Sequence, residues 1–252
     1  LKHLHIGSVA IPPLGCGNGG LDWAVVKPMI IKALSEVPEV NAVIFEPGHA
    51  LQADTIRVET KKPNMTRVRA LVIQLFERYG LPGYRLTRLE TQKLAYLLQE
   101  SGEPMQLNYV RHQYGPYADN LNHLLQRLDG HFIRGFGDRD TKSQIYVLSE
   151  GSQAAQDFME QHPDAKERLE QVSRLIEGFE TPYGMEMLTT LHWIARREDP
   201  QASVSVERAI AGVQAWSDRK KNLFKPRHLE IAWQRLRDQG WLKTEIVCNA
   251  NF

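Results

Sequence analysis

The sequence predicts an α/β segment followed by a mainly α-helical segment. In the first fifty residues, an apolar run at positions 9–11 enters a glycine-rich loop, which is followed by a stretch with helical apolar spacing; this order indicates strand, loop and helix. From Thr66 the pattern changes, and apolar residues recur three and four positions apart almost to the end of the chain. A chain of 252 residues is long enough for one or two domains.

Composition excludes several classes of protein. Lys and Arg total 31 against 30 Asp and Glu, a net charge of +1, so any contact with DNA has to be local. No apolar run is long enough to span a bilayer, and no signal-peptide pattern is visible, so we expect no membrane partner. Cys16 and Cys248 suggest neither a disulfide framework nor a metal site, which fits a reducing cytoplasm.

Histidine spacing gives no reason to expect a metal. His3 and His5 would share a strand face, but no third ligand lies at a metal-like spacing. No Ser-His-Asp order or Cys-His pair is apparent either, and Cys16 is better interpreted as a small loop residue than as a nucleophile. We therefore expect no metal and no catalytic apparatus contained within this chain.

The glycine-rich loop lies within residues 8–23, which read SVAIPPLGCGNGGLDW. Closely spaced glycines permit positive φ and remove Cβ atoms that would keep an anion from the backbone N–H groups, and the helix predicted after Asp22 adds free donors. A phosphate fits such a loop, but glycine spacing alone equally fits a tightly packed turn. A P-loop lysine is absent, and a dinucleotide fingerprint would need Glu39 or Glu46 as its acidic partner.

Residues 11–23, reading IPPLGCGNGGLDW, resemble the phosphate loop of macrodomains, and specifically that of the DarG antitoxins; residues 40–47 resemble the final strand of that domain. The resemblance implies a partial macrodomain over residues 1–48 that binds ADP-ribose as ligand and product, without another cofactor. In the family, this domain removes ADP-ribose from thymidine in single-stranded DNA and reverses the cognate DarT toxin. The implied ligand-binding residues are Leu14, Gly15, Cys16, Gly17, Asn18, Gly19, Gly20 and Leu21.

The catalytic residue is not assigned. In the family it is a lysine in the first half of the domain, which we expect upstream of Leu1, so we expect this chain to be a fragment that is inactive alone. Related hydrolases carry an acidic residue in the loop, where this chain has Gly19. Acid assistance is therefore not assigned to the loop.

The next segment predicts a linker over residues 49–64, with a short strand at 55–58, because it has no sustained period and ends in Lys61, Lys62 and Pro63. Residues 65–252 predict a helical domain, divisible near residue 160. A helix with Val68, Leu71 and Phe76 on one face is followed by a capping box at residues 87–90. A third helix carrying Tyr117 to Leu128 and a strand over 144–148 complete a winged-helix-like arrangement.

Within this domain, residues 93–97 and 112–117 resemble the Panacea-type antitoxin domains, which carry a lysine-leucine helix and a Gly-Pro turn; a simple turn at Tyr114 explains the second segment equally well. DarG proteins have a C-terminal domain that grips the toxin, so the resemblance implies a DNA ADP-ribosyltransferase as partner. The candidate interface residues, expected to be exposed, are Tyr114, Tyr117, Arg219, Lys220, Lys221 and Phe224.

The remaining expectations concern charged residues, the end of the chain and an alternative function. The basic stretch over residues 219–227 could contact phosphates or an acidic surface of a partner, but a solvated loop is the simpler interpretation. The acidic residues Asp138, Asp140 and Glu150 could face the basic groove of the toxin and imitate phosphates. Residues 241–247 predict a last strand. The alternative function is a winged-helix-like regulator that binds DNA without chemistry.

Overall fold

The computed structural model describes residues 6–16, 21–46, 60–80, 83–137 and 144–242. The chain divides into two compact units, Leu1–Ile56 and Arg57–Phe252. The first is α/β and the second is mainly helical, as the sequence predicts. The predicted domain limits at residues 48 and 64, and the strand at 55–58, lie outside the described residues or stay predictions.

The first unit is a parallel strand pair joined by a helix. Strand β1 (Ser8–Ile11) pairs with β2 (Asn41–Ile44), and α1 (Trp23–Ser35) connects them. Asp22 caps α1, since its Oδ1 accepts a hydrogen bond from the Ala24 N–H at 2.9 Å. Pro28 lies inside α1, as the sequence indicates. The predicted strand, helix and strand are confirmed, and the described loop residues, 12–16 and 21–22, lie between the first strand and the helix.

The second unit is built from helices and two small hairpins. Its helices, along the described ranges, are α2 (Arg67–Arg78), α3 (Arg88–Glu100), α4 (Leu121–Leu128), α5 (Ser149–Glu160), α6 (Pro163–Ile176), α7 (Pro182–Trp193), α8 (Val206–Trp216), α9 (Asp218–Leu223) and α10 (Pro226–Asp238). One antiparallel hairpin joins β3 (Val110–His112) to β4 (Gly115–Tyr117), and another joins β5 (Ile133–Arg134) to β6 (Tyr146–Val147). Among these helices none is long and apolar enough to cross a bilayer.

The core of the second unit forms where apolar helix faces meet. The predicted face of α2 is buried, including Leu71, Leu75 and Phe76, and it packs against α5, α6 and α3. Helix α7 packs against α3, β4 and α10 and is buried along most of its length. The hydroxyl of Tyr96 on α3 and Nδ1 of His192 on α7 are 2.8 Å apart, which satisfies two buried polar groups.

The capping box of α3 is confirmed in atomic detail. The Thr87 hydroxyl accepts a hydrogen bond from the Glu90 N–H at 3.3 Å, and Glu90 Oε2 accepts one from the Thr87 N–H at 2.7 Å. The other carboxylate oxygen of Glu90 accepts from the hydroxyls of Tyr79 and Tyr84, at 2.8 and 2.7 Å. Glu90 is therefore a fully bonded buried carboxylate that fixes the start of α3.

Three local expectations are wrong. Tyr117 lies in β4 rather than on α4, because a residue two positions after Gly115 still belongs to the hairpin that precedes the helix. The basic stretch that begins at Arg219 is not a loop, since Ser217 caps α9 there by accepting from the Lys220 N–H at 3.2 Å. Trp241 and Leu242 form a buried turn instead of a strand, and the rest of the predicted strand lies outside the described residues.

Candidate functional sites

The glycine-rich loop begins at the carboxyl end of β1. The register pairs Ile11 with Ile44, so both parallel strands end at the same edge, and the chain turns there through residues 12–16 before α1 begins. Ligands of open α/β sheets bind outside the carboxyl ends of the strands. The loop therefore lies at the edge where such a ligand is expected.

Gly15 is the residue whose conformation shapes the described part of this loop. Its φ is +72°, and a Cβ atom built on it would lie 2.5 Å from Cδ1 of Leu21. The Leu21 N–H donates to the Gly15 carbonyl at 2.9 Å, which brings the two ends of the loop together. Only glycine adopts this conformation without strain and without displacing Leu21.

The described part of the loop also contains Leu14, Cys16 and Leu21. The side chains of Leu14 and Leu21 are exposed, and the half-exposed Cys16 thiol donates to the Leu14 carbonyl at 3.4 Å. Gly17, Asn18, Gly19 and Gly20 lie outside the described residues, as do His3 and His5. Ligand binding by this loop stays a prediction.

A second candidate site lies beside the hairpin of β3 and β4, where a cavity of about 320 Å³ opens against the start of α3. We refer to it as the hairpin cavity. Its lining residues are Thr87, Arg88, Leu89, Gln92, Lys93, His112, Tyr114 and Tyr117. The structure thus brings together Tyr114 and Tyr117, both predicted as interface residues, at one opening.

Lys93 lies at the buried side of this cavity. Its ammonium donates to the Pro116 carbonyl at 2.7 Å, the one acceptor that it contacts among the described residues. Burial, reinforced by the charge of Lys220, lowers the pKa of Lys93 to about 7 against the opposing effect of Glu186. A buried amine that is partly neutral near pH 7 therefore borders the cavity.

Behind Lys93 lies an ion cluster formed by Glu186, Arg219 and Lys220. Glu186 Oε1 accepts from Lys220 Nζ at 2.5 Å and from Arg219 Nη1 at 2.6 Å, and Oε2 accepts from Arg219 Nη2 at 3.1 Å. Burial opposes ionisation of Glu186, but the hydrogen bonds from the two cations outweigh it, so its pKa is lowered. The cluster is an ionised buried carboxylate held by two bases.

Gly115 allows the hairpin to approach this cluster. Its φ is +89°, and an added Cβ would lie 2.9 Å from the Thr190 hydroxyl and 3.5 Å from Lys93 Nζ. The Thr190 hydroxyl in turn accepts from Lys220 Nζ at 3.1 Å. The Gly-Pro segment therefore packs its backbone on buried polar groups, which explains why a glycine occupies that position.

The predicted interface residues divide into two groups. Tyr114 is 40% exposed, Tyr117 and Arg219 are half-exposed, and Lys221 is exposed. The Arg219 guanidinium lies 4.6 Å from the Tyr114 ring centroid. Lys220 and Phe224 are 0% and 1% exposed, so the expectation that they are exposed is wrong. They lie on the inner face of α9 and the turn after it, whereas Lys221 is on the outer face.

The acidic candidates are less informative. Glu150 is exposed and pairs with Lys62, and Asp138 and Asp140 lie outside the described residues. The residue that sequence reasoning missed is Glu186. It is the only Asp, Glu, Lys or Arg in α7, a helix that is otherwise apolar or weakly polar, and that isolation is a signal of a buried ion pair.

Comparison with protein-family models finds no match for this chain. Comparison with curated proteins finds three relatives, each named DNA ADP-ribosyl glycohydrolase. The protein from Thermus aquaticus is 42% identical over 245 residues, covering 97% of this chain and 67% of that protein. Those from Mycobacterium bovis and Mycobacterium tuberculosis are 34% identical over 253 residues, covering 94% of this chain and 70% of each relative. The chain therefore belongs to the family of DarG-type DNA ADP-ribosyl glycohydrolases.

Proposed function

We propose that the intact protein removes ADP-ribose from thymidine in single-stranded DNA, and that the first unit belongs to the macrodomain that does so. The observation that carries the proposal is the turn at Gly15, with its φ of +72° at the carboxyl edge of the parallel strands. A loop of this shape exposes backbone N–H groups to an anion. The names of the relatives support ADP-ribose on DNA as the ligand.

The surface of the first unit supports its assignment to a layered α/β domain. Helix α1, whose residues are all described, has no buried side chain, and large apolar residues such as Val25, Met29 and Phe45 are 40–65% exposed. Parallel strands normally occur in sheets covered on both faces. The exposed apolar residues are of the kind that further layers of a macrodomain would cover.

In the proposed reaction, water is added across the bond between the ADP-ribose sugar and the base. The bond to the base breaks, the hydroxyl joins the sugar carbon, and the proton goes to the base. The loop's part is to hold the diphosphate and the distal ribose, with Leu14, Gly15, Cys16 and Leu21 as its described residues. No described residue is assigned as the catalytic group.

Calorimetric titration of the intact macrodomain with ADP-ribose tests this role of the loop. We expect Gly15→Val to weaken binding at least tenfold, because the new side chain is strained at positive φ and displaces Leu21. We expect the same direction for Gly17→Val and Gly19→Val. Gly7→Val is the matched control, since a Cβ at Gly7 meets nothing within 4 Å.

Release of ADP-ribose from a modified thymidine oligonucleotide by the intact protein, followed by chromatography, tests the activity. If Gly15→Val and Gly7→Val bind and release ADP-ribose equally well, the loop is not the ligand site.

We further propose that the second unit binds and neutralises a DNA ADP-ribosyltransferase toxin through the rim of the hairpin cavity. Tyr114 and Arg219 stack on each other at its edge, and aromatic residues and arginine are the usual anchors of protein interfaces. The bidentate bond to Glu186 holds the Arg219 guanidinium in place, so little conformational entropy is lost on binding.

The test is co-purification of the protein with the cognate toxin on size-exclusion chromatography. We expect Tyr114→Ala to speed dissociation of the complex at least tenfold, and the control Ile231→Ala, at a residue 51% exposed on α10, to leave it unchanged. If no complex forms and the protein instead binds duplex DNA in a salt-sensitive way, the winged-helix-like regulator is the better interpretation.

A further inference from the structure

A second, larger cavity lies at the beginning of the second unit and is strongly basic. It measures about 620 Å³ and lies between the extended residues 60–66, the first turns of α2, and α4. Its basic residues are Lys61, Arg69, His123, Arg127 and His131. Among the described residues that line it there is no aspartate or glutamate, so it gathers positive charge without a matching carboxylate. We call it the basic cavity.

The cations of the basic cavity lack acidic partners in the part of the chain that the structure describes. Lys61 and Arg127 make no hydrogen bond or ion pair there, and Arg69 donates to a backbone carbonyl, that of Asn64. Burial, followed by the charge of Arg127, lowers the pKa of Arg69. Like charges are thus held close together at a cost that a bound anion would offset.

Two neighbouring bases of the same segment, unlike those that line the cavity, do have carboxylate partners. Lys62 pairs with Glu150, and Arg67 pairs with Glu103 at 2.9 Å. Carboxylates therefore lie close to this segment, but they pair with Lys62 and Arg67, which do not line the cavity. Among the bases of residues 61–69, the two without a carboxylate partner, Lys61 and Arg69, are the two that line the basic cavity.

Two polar features add to the site. The Thr60 hydroxyl and His131 Nε2 are 2.9 Å apart at one side of it. At another, the side chain of Thr66, which precedes α2, makes no capping hydrogen bond, so α2 begins without a side-chain acceptor at its amino end. An anion in the cavity would find the hydroxyls of Thr60 and Thr66 beside Lys61, Arg69 and Arg127.

We propose that the basic cavity binds phosphate groups of a DNA strand, with Lys61, Arg69 and Arg127 as the cationic contacts. The proposal deepens the proposed function, because it rests on DNA being the substrate. A guanidinium matches phosphate bidentately, and cations spread over two helices and an extended segment suit successive phosphates better than one carboxylate. The second unit would then hold the strand on which the first unit acts.

Fluorescence anisotropy with a labelled, unmodified single-stranded oligonucleotide tests the proposal on the full chain. The test variant is Lys61→Gln/Arg127→Gln, because both residues are exposed and neither has a partner whose loss would unfold the protein. The matched control is Lys166→Gln/Arg174→Gln, which removes two exposed positive charges of α6. Arg69→Gln provides a third, partly buried contact.

Each phosphate contact on a single strand contributes about 0.7 to the slope of log affinity against log salt concentration. We expect the test variant to lower this slope by about 1.4 and the affinity by roughly 25-fold at 0.1 M salt, with the control near wild type. Equal losses in test variant and control, no change in either, or no saturable binding by wild type would overturn the proposal.

Release of ADP-ribose from a modified oligonucleotide, measured on the intact protein with and without the same substitutions, keeps the two proposals distinguishable. If the test variant loses strand affinity while the intact protein releases no ADP-ribose, the site stands and the proposed activity fails. If release occurs and strand affinity is unchanged by the test variant, the activity stands and the site fails.

Discussion

Replacing Glu186 with glutamine removes the only negative charge of the ion cluster while almost preserving side-chain volume. In the wild type, Lys220 is 0% exposed and its ammonium is 2.5 Å from Glu186 Oε1. In Glu186→Gln, the ammonium keeps the Thr190 hydroxyl at 3.1 Å but loses its counter-charge. Removing one partner of a buried ion pair typically costs about 3–5 kcal/mol.

The free energy of deprotonating Lys220 sets an upper limit on the charge part of this loss of stability. The pKa of a lysine in the unfolded chain is about 10.5, so deprotonating Lys220 in the folded variant at pH 7 costs about 5 kcal/mol, and the charge part of the loss cannot exceed that value. At pH 9 the same bound falls to about 2 kcal/mol. The destabilisation caused by Glu186→Gln should therefore shrink as the pH rises.

Urea unfolding followed by tryptophan fluorescence, at pH 7 and pH 9, measures this loss. Glu230→Gln is the control, because Glu230 is exposed on α10, and Glu186→Gln/Lys220→Met should recover at least half of the lost stability by removing the buried charge. A loss below about 1 kcal/mol at pH 7, or an equal loss at pH 9, would refute the reasoning.

Three further predictions concern the same unit. Thr87→Ala should lower the free energy of unfolding by about 1–2 kcal/mol, measured in urea, because the Glu90 N–H loses its cap. The free energy of unfolding of the wild type should rise from pH 7 to pH 9 by up to ~1.4 kcal/mol per pH unit, because the lowered pKa of Lys93 means that the folded state binds fewer protons than the unfolded state. Lys93→Met should reduce this slope, and an unchanged slope would contradict the assignment. Gly115→Ala should cost about 1–3 kcal/mol through strain at a φ of +89°, and a neutral result in thermal melting would exclude a required close approach.

Local sequence signals were sufficient for much of the fold. The apolar stripe of α2, the capping box at Thr87 and the cap at Asp22 all act between residues a few positions apart, so their physics is contained in a short segment. The order of strand, loop and helix also follows from local patterning, whereas the second strand was inferred from the family resemblance. The long glycine-rich segment that ends at Trp23 allowed the family to be inferred from the first fifth of the chain.

Local signals were not sufficient where a residue's fate depends on distant partners. The composition of the basic stretch suggested solvent, but Lys220 is buried because Glu186, 34 positions earlier on α7, supplies its counter-charge. Phe224 is buried for a related reason, since its ring meets that of Tyr183 with centroids 5.2 Å apart. No spacing rule connects residues so far apart in the chain.

By itself, then, the sequence determined the α/β start, the helical remainder, the loop with Gly15, and the residue types at the hairpin. Tertiary structure alone decided which of the bases face solvent, that Tyr114 and Arg219 stack, and that Lys61, Arg69 and Arg127 share one cavity. The reason is physical: capping and periodicity act over one or two helical turns, whereas burial of a charge depends on which helices pack against it.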